Sequence, residues 1–217
     1  MPVASPAPFK TQPSGTHGDP LGVTPRKMIV VADLSAGEYL QKSAICSQPG
    51  TVCLDPPPFW FTARIISTVY GEPPPSRIRV TTNSHFGTKE YEHLEVPQLV
   101  LLRTNGQDFV MPRYAREPLI RDKKGTFYLR TFEAKTIDWL PCETAALREE
   151  IFPADFDDAS LEIKKEDFSN YHVASNPSMY RITPDVAWPR YAISVDRLRA
   201  YLKDSGPDVK LECKLER

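Results

Sequence analysis

The chain reads as an α+β fold, mainly β: an antiparallel meander or a small barrel with short flanking helices. Three observations predict this. From Phe59 to Tyr70, alternate residues are Phe59, Phe61, Ala63, Ile65, Ser67 and Val69 on one side, and Trp60, Thr62, Arg64, Ile66, Thr68 and Tyr70 on the other. That is the period-two pattern of a half-buried antiparallel strand. Proline stands at 22 of 217 positions, about twice the usual share. Because proline donates no ladder hydrogen bond and breaks helix interiors, it points to turns and edges and away from long helices. Finally, Asn105-Gly106 lies between two apolar runs, a strong short-range hairpin signal.

Residues 1–27 form a Pro/Gly/Ser/Thr-rich tether without the apolar stretch of a signal peptide. A single globular domain is expected over 28–217, with a β core to about residue 140 and a mixed layer from 141. Met28 to Ala32 is a short apolar strand. Ser35-Ala-Gly-Glu38 has the form of a capping box, which predicts a short helix from Ala36 to about Ala44. After Phe59–Tyr70, Gly71 and Pro73–Pro75 make a turn, and Ser76–Thr82 alternates again, so the two runs form a hairpin. Asn83–Glu95 is a polar loop. Leu99-Val-Leu-Leu102, within Gln98–Arg103, suits a strand covered on both faces.

The Asn105-Gly106 turn predicts type I′ geometry, and Phe109 to Met111 form the return strand up to Pro112. Thr126–Phe132 is a further strand. Beyond Pro141, Glu143–Ile151 favours a short helix with acids in its first turn. Residues 153–168 are acidic and weakly periodic, and Tyr171–Tyr191 adds edge strands. Ser194 caps a last helix to Lys203 that buries Val195, Leu198 and Leu202, and Gly206-Pro207 ends it.

The net charge of −1 creates no overall field toward nucleic acid or an anionic membrane. No stretch approaches the ~20 apolar residues of a membrane helix, so no span is expected. Four cysteines, Cys46, Cys53, Cys142 and Cys213, permit three pairings. Cys46 and Cys53 enclose a loop short enough to bridge, which would leave Cys142 with Cys213; four reduced thiols are the alternative. There is no C-x-x-C for a redox or zinc motif.

His85 and His93 flank Glu90, Glu92 and Glu95, a set able to bind a divalent metal, but on a polar loop that fixes no geometry. Asp155, Asp157, Asp158 and Glu162 lack the glycine and the spacing of a calcium loop. Ser84-His85 does not suit a catalytic dyad, because neighbours on an extended chain face opposite ways. No nucleophile motif is present, and no metal or cofactor is expected. Paired carboxylates assembled in space, near Asp155 to Asp167, would make a hydrolase.

Charge is segregated. Residues 103–130 carry seven bases against three acids, and residues 143–168 nine acids against three bases. Either the two regions pair within the molecule or one docks an oppositely charged protein. The binding surface expected from this comprises Arg113, Arg116, Arg121, Lys123 and Lys124, with Trp60 and Arg64. Aromatics and arginines on the Trp60, Arg64, Tyr70, Arg77, Arg79 face also suit single-stranded nucleic acid, though with no net basic charge such a partner is not the expected one.

The block Phe59–Tyr70, Gly71, Pro73–Pro75, Ile78–Thr82, Leu99–Leu102 and Asn105-Gly106 resembles the barrel of netrin-like domains, the fold family of the tissue inhibitors of metalloproteinases. The resemblance lies in a long strand ending Tyr70-Gly71, a second reading Ile78-x-Val80-Thr81-Thr82, and an apolar third. It covers about residues 59–110 and implies a small OB-like barrel, the oligonucleotide/oligosaccharide-binding type. The family's cysteine framework and N-terminal inhibitory cysteine are not matched, so no functional residue is carried over. The resulting expectation is a non-enzymatic, exported protein-binding module of the periplasm or cell envelope, an inhibitor or immunity-type factor. A cytoplasmic location and the hydrolase are the alternatives.

Overall fold

Strand β1 (Arg26–Ser35) sits between two antiparallel partners, β2 (Phe59–Tyr70) and β4 (Gln98–Thr104). The computed structural model describes residues 25–40, 58–83, 87–91, 94–130, 137–156, 161–171, 173–206 and 210–211. The tether up to residue 24 therefore lies outside the described residues. β2 also pairs with β3 (Arg77–Thr82), the predicted hairpin, with Phe61 opposite Val80 and Arg64 opposite Arg77. The two-residue β5 (Phe109–Val110) runs antiparallel to β4 and parallel to β3. The order β1-β2-β3-β5-β4, closed by the β1–β4 ladder, is a five-stranded barrel compatible with an OB-like shape.

Alternation explains the core. Phe59, Phe61 and Ala63 of β2 and Ile78 and Val80 of β3 point inward, while Arg64, Arg77 and Arg79 are exposed. β1 from Met28 to Ala32 and β4 from Gln98 to Leu102 are buried on both faces, as their unbroken apolar runs predict. Between β3 and β4 lies the 3-10 turn Gly87–Tyr91, within the segment expected to be a loop, and it places Tyr91 in the barrel core. Tyr91 stacks on Phe61 at 4.9 Å between ring centroids and meets Phe59 edge-on at 5.3 Å.

β6 (Arg116–Arg121) leaves the barrel: its first half pairs with β4 and its second half with β7 (Phe127–Arg130). The sheet continues through β12 (Tyr191–Ser194) to β8 (Glu149–Glu150). A separate small sheet joins β9 (Ile163–Lys164), β10 (Tyr180–Ile182) and β11 (Val186–Pro189) in the order β10-β11-β9. The one α-helix among the described residues, α1 (Val195–Asp204), packs Leu198 and Leu202 into the same core as the barrel. Ser194 Oγ accepts from the Arg197 N–H at its start, as predicted. No helix among the described residues is long and apolar enough to cross a membrane.

Several local expectations change. Ser35 ends β1 opposite Thr62 and does not cap a helix. The following residues stay extended along β2, with the Trp60 N–H donating to Glu38 O at 3.0 Å and the Leu40 N–H to Pro58 O at 2.9 Å. Gly37 allows this approach, since a Cβ there would lie 1.9 Å from Trp60 O; the rest of the predicted helix, 41–44, lies outside the described residues. The Asn105-Gly106 hairpin forms, but only Gly106 has a positive φ, 101°. Asn105 Oδ1 instead accepts from the Gln107 and Asp108 N–H groups, so the turn is held by a side chain and is not type I′. The helix expected at Glu143–Ile151 is a 3-10 segment, Cys142–Leu147, without a side-chain cap. Extended Arg148 then leads into β8.

Candidate functional site

The β6–β7 hairpin builds the site. Its tip, Asp122 to Gly125, is locked from within: Asp122 Oδ1 accepts from the Lys124 N–H at 3.0 Å and the Thr126 N–H at 2.7 Å. The Gly125 N–H donates to Asp122 O at 2.9 Å, and the turn needs glycine there because φ is 91°. Lys123 pins the tip to the next layer, its N–H donating to Asp155 O at 2.9 Å and its Nζ to Ala154 O at 2.8 Å. Arg121 lies over the Phe127 ring at 5.6 Å and donates from Nε to Gly125 O.

Facing this tip across an open cleft of about 890 Å³ are Asp33 and Arg64, an ion pair on the outer face of β1 and β2, and Ile66. Leu119, Phe127, Val96 and Pro97 complete its walls. The cleft therefore has apolar walls and a rim of four cations and two carboxylates. On the other side of the tip, a pocket of about 310 Å³ gathers Tyr128, Glu149, Glu150 and Asp155 with Ile151 and Phe156. Burial, and then the negative charges of Asp122 and Glu149, push the Tyr128 hydroxyl up from its ordinary value, so it stays protonated and donates to Asp122 Oδ2.

Of the surface residues expected from the sequence, Arg64, Arg121, Lys123 and Lys124 meet in this cleft. The others do not line it. Arg116 is half-buried, lies over Tyr91 at 4.9 Å and donates to Gln98 Oε1, a packing role. Arg113 lies over exposed Tyr114 at 5.2 Å. Trp60 is covered on the outer β2–β3 face by Arg79, 4.2 Å from its ring.

Glu150 pairs with Arg181 and Arg190, and Glu149 with Arg197, all from the C-terminal layer. Arg121 and Lys124 meet no carboxylate among the described residues.

His85, His93 and Glu92, and Asp157 and Asp158, lie outside the described residues, and so do Cys46, Cys53 and Cys213. Cys142 opens the 3-10 segment and is not a free thiol, but no pairing falls within the described residues. No group of three metal-ligating side chains occurs among the described residues.

One ionisable group escaped the sequence reading. Glu117, opposite Leu99 where β6 leaves the barrel, has its carboxyl raised to about 7. Burial is the main cause; Arg116 and Arg130 pull it down and Asp138 adds to the rise. A lone acid beside Leu119 and Ile120 was the available signal.

Compared with protein-family models, curated proteins and solved structures, the chain matches none.

Proposed function

We propose that this protein is a non-enzymatic binding module that docks another protein in the cleft between barrel and β6–β7 hairpin. In this proposal it is exported, to the periplasm or cell envelope, and acts as an inhibitor or immunity-type factor on a scaffold of the netrin-like kind. The observation that carries the reading is the pairing of a hydrogen-bonded basic tip with an apolar wall on which Ile66 is exposed. Arg121 and Lys124 are offered on a turn that is already fully hydrogen-bonded, and Ile66 is 38% exposed beneath them. Charge around an apolar centre steers association and sets register, while the apolar contact supplies affinity.

Site-specific photo-crosslinking tests it. A benzophenone side chain at Ile66, in the full chain exposed to envelope extract, is expected to capture a defined protein. That protein, purified, then binds the unmodified chain saturably, and the Lys124→Glu variant loses the binding. Equal binding by both forms, or no captured protein, overturns the reading.

A second reading, a hydrolase, draws on the smaller pocket, where Glu149, Glu150 and Asp155 gather beside Tyr128. Turnover of an ester or glycoside substrate that disappears in Asp155→Asn would move the conclusion there.

A further inference from the structure

We infer that the occupant of the cleft is a short acidic segment of the partner, with one apolar side chain among its carboxylates; this rests on the protein-binding reading above. The charge count is the first ground. Asp33 answers Arg64, Lys123 is turned to Ala154 O of the next layer, and the Asp122 carboxylate is taken up by its own turn and by Tyr128. Arg121 and Lys124, which meet no carboxylate among the described residues, are the cations that the hairpin tip offers to the cleft.

The second ground is the apolar wall. Ile66 is a large aliphatic side chain left exposed among charges, with Phe127 and Leu119 beside it. Water is a poor neighbour for such a surface, and one inserted apolar side chain would cover it. A cleft of about 890 Å³ is in the size range of ligand clefts, so it suits a short segment and not the face of a folded domain.

The third ground separates carboxylates from phosphates. Phosphate sites commonly present a concavity of backbone N–H groups. Here the Lys123, Lys124, Gly125 and Thr126 N–H groups are all engaged within the protein, so none is left for a ligand. Phe127 already carries the Arg121 guanidinium, so that face is not open to a stacking base. What remains is side-chain recognition of separated negative charges with an apolar anchor between them.

The test is fluorescence anisotropy of the full chain with a dye-labelled peptide in which glutamates flank a single leucine. Saturable binding is expected, weakened about tenfold when the leucine is replaced by serine, since much of a buried Leu contact is lost. Lys124→Glu and Ile66→Ser, both at exposed positions, are expected to weaken it at least about fivefold with unchanged thermal melts, and raised salt to weaken it further. Equal affinity for the leucine and serine peptides, equal affinity of the wild type and Lys124→Glu, or tighter binding of an oligothymidylate overturns the inference. If the peptide fails but the crosslinked partner still binds through the cleft, only the chemistry of the segment is wrong. If both fail, the binding-module reading falls with it.

Discussion

The barrel and the C-terminal layer solve the same problem, burying apolar surface, in opposite ways. The barrel uses strands of up to 12 residues in a closed order and one continuous core. The C-terminal layer uses strands of two to four residues, joined by 3-10 turns, over two small clusters. Ile120, Ile151, Phe156, Leu161 and Ala192 make one, and Ile163, Val173, Met179, Tyr180 and Ala187 the other. A short strand pairs few backbone groups and buries little, so this layer leans on its neighbours. It is held by α1, by the tip contacts of Lys123, and by arginines gathered on Glu149 and Glu150. The difference teaches that the barrel carries the one large core, while the layer and the β6–β7 hairpin brace each other at Lys123.

Substitutions can break that contrast. The largest effect is expected from Phe61→Ala, which removes a fully buried ring and its stack on Tyr91. A loss of about 3–5 kcal/mol is expected, by urea unfolding, with barrel and layer lost together. If the layer melted separately and first, the packing of Ile193, Leu198 and Leu202 into the barrel core would not couple the two regions.

Next comes Glu117, at the strand shared by both regions. Its carboxyl is raised from 4.5 to about 7 in the folded state, so between those values the folded protein holds a proton that the unfolded chain has released. Glu117's contribution to stability is then fully present below about pH 4.5 and is lost as pH rises through about 7. The difference is roughly 2–3 kcal/mol. Glu117→Gln should remove this slope and melt higher than wild type at pH 8; unchanged pH dependence would refute the burial of the charge.

A smaller effect belongs to Arg199, the clasp between α1 and the barrel. Its Nε donates to Thr68 O at 3.2 Å and its Nη2 to Ser67 Oγ at 3.3 Å. Arg199→Ala should cost about 1–2 kcal/mol, the scale for charged hydrogen bonds, seen as faster hydrogen exchange in α1 before the barrel responds. The smallest is Glu150→Gln. It weakens two ion pairs at once, but the partners are partly exposed, and solvent screening keeps the loss below about 1 kcal/mol in a denaturant titration.

What could be read from residues alone followed the same divide. β2 and β4 were legible because their burial imposes period two or an unbroken apolar run. β6 was not: Arg116, Glu117 and Pro118 interrupt its apolar character, and only pairing with Gln98 to Val100 on one side and Phe127 to Leu129 on the other makes it a strand. The Ser35–Glu38 capping box is a real local preference that lost to the pairing of β1 with β2. The basic surface was half legible. Counting charge found Arg121, Lys123 and Lys124, but their neighbours across the cleft, Asp33 and Ile66, come from strands far away in sequence, and no local pattern joins them.

The barrel is not equally strong all the way round. Seven residue pairs join β1 to β4, whereas β3 reaches β5 through two, Val80 with Phe109 and Thr81 with Val110. Met111 adds a latch on the same side, its N–H donating to Thr81 O and its carbonyl accepting from the Thr82 hydroxyl. The cylinder thus has a short zipper beside a long hinge. Opening along β5 breaks the fewest backbone pairs, and a chain leaving the ribosome cannot shut the cylinder until residues 109–111 have emerged.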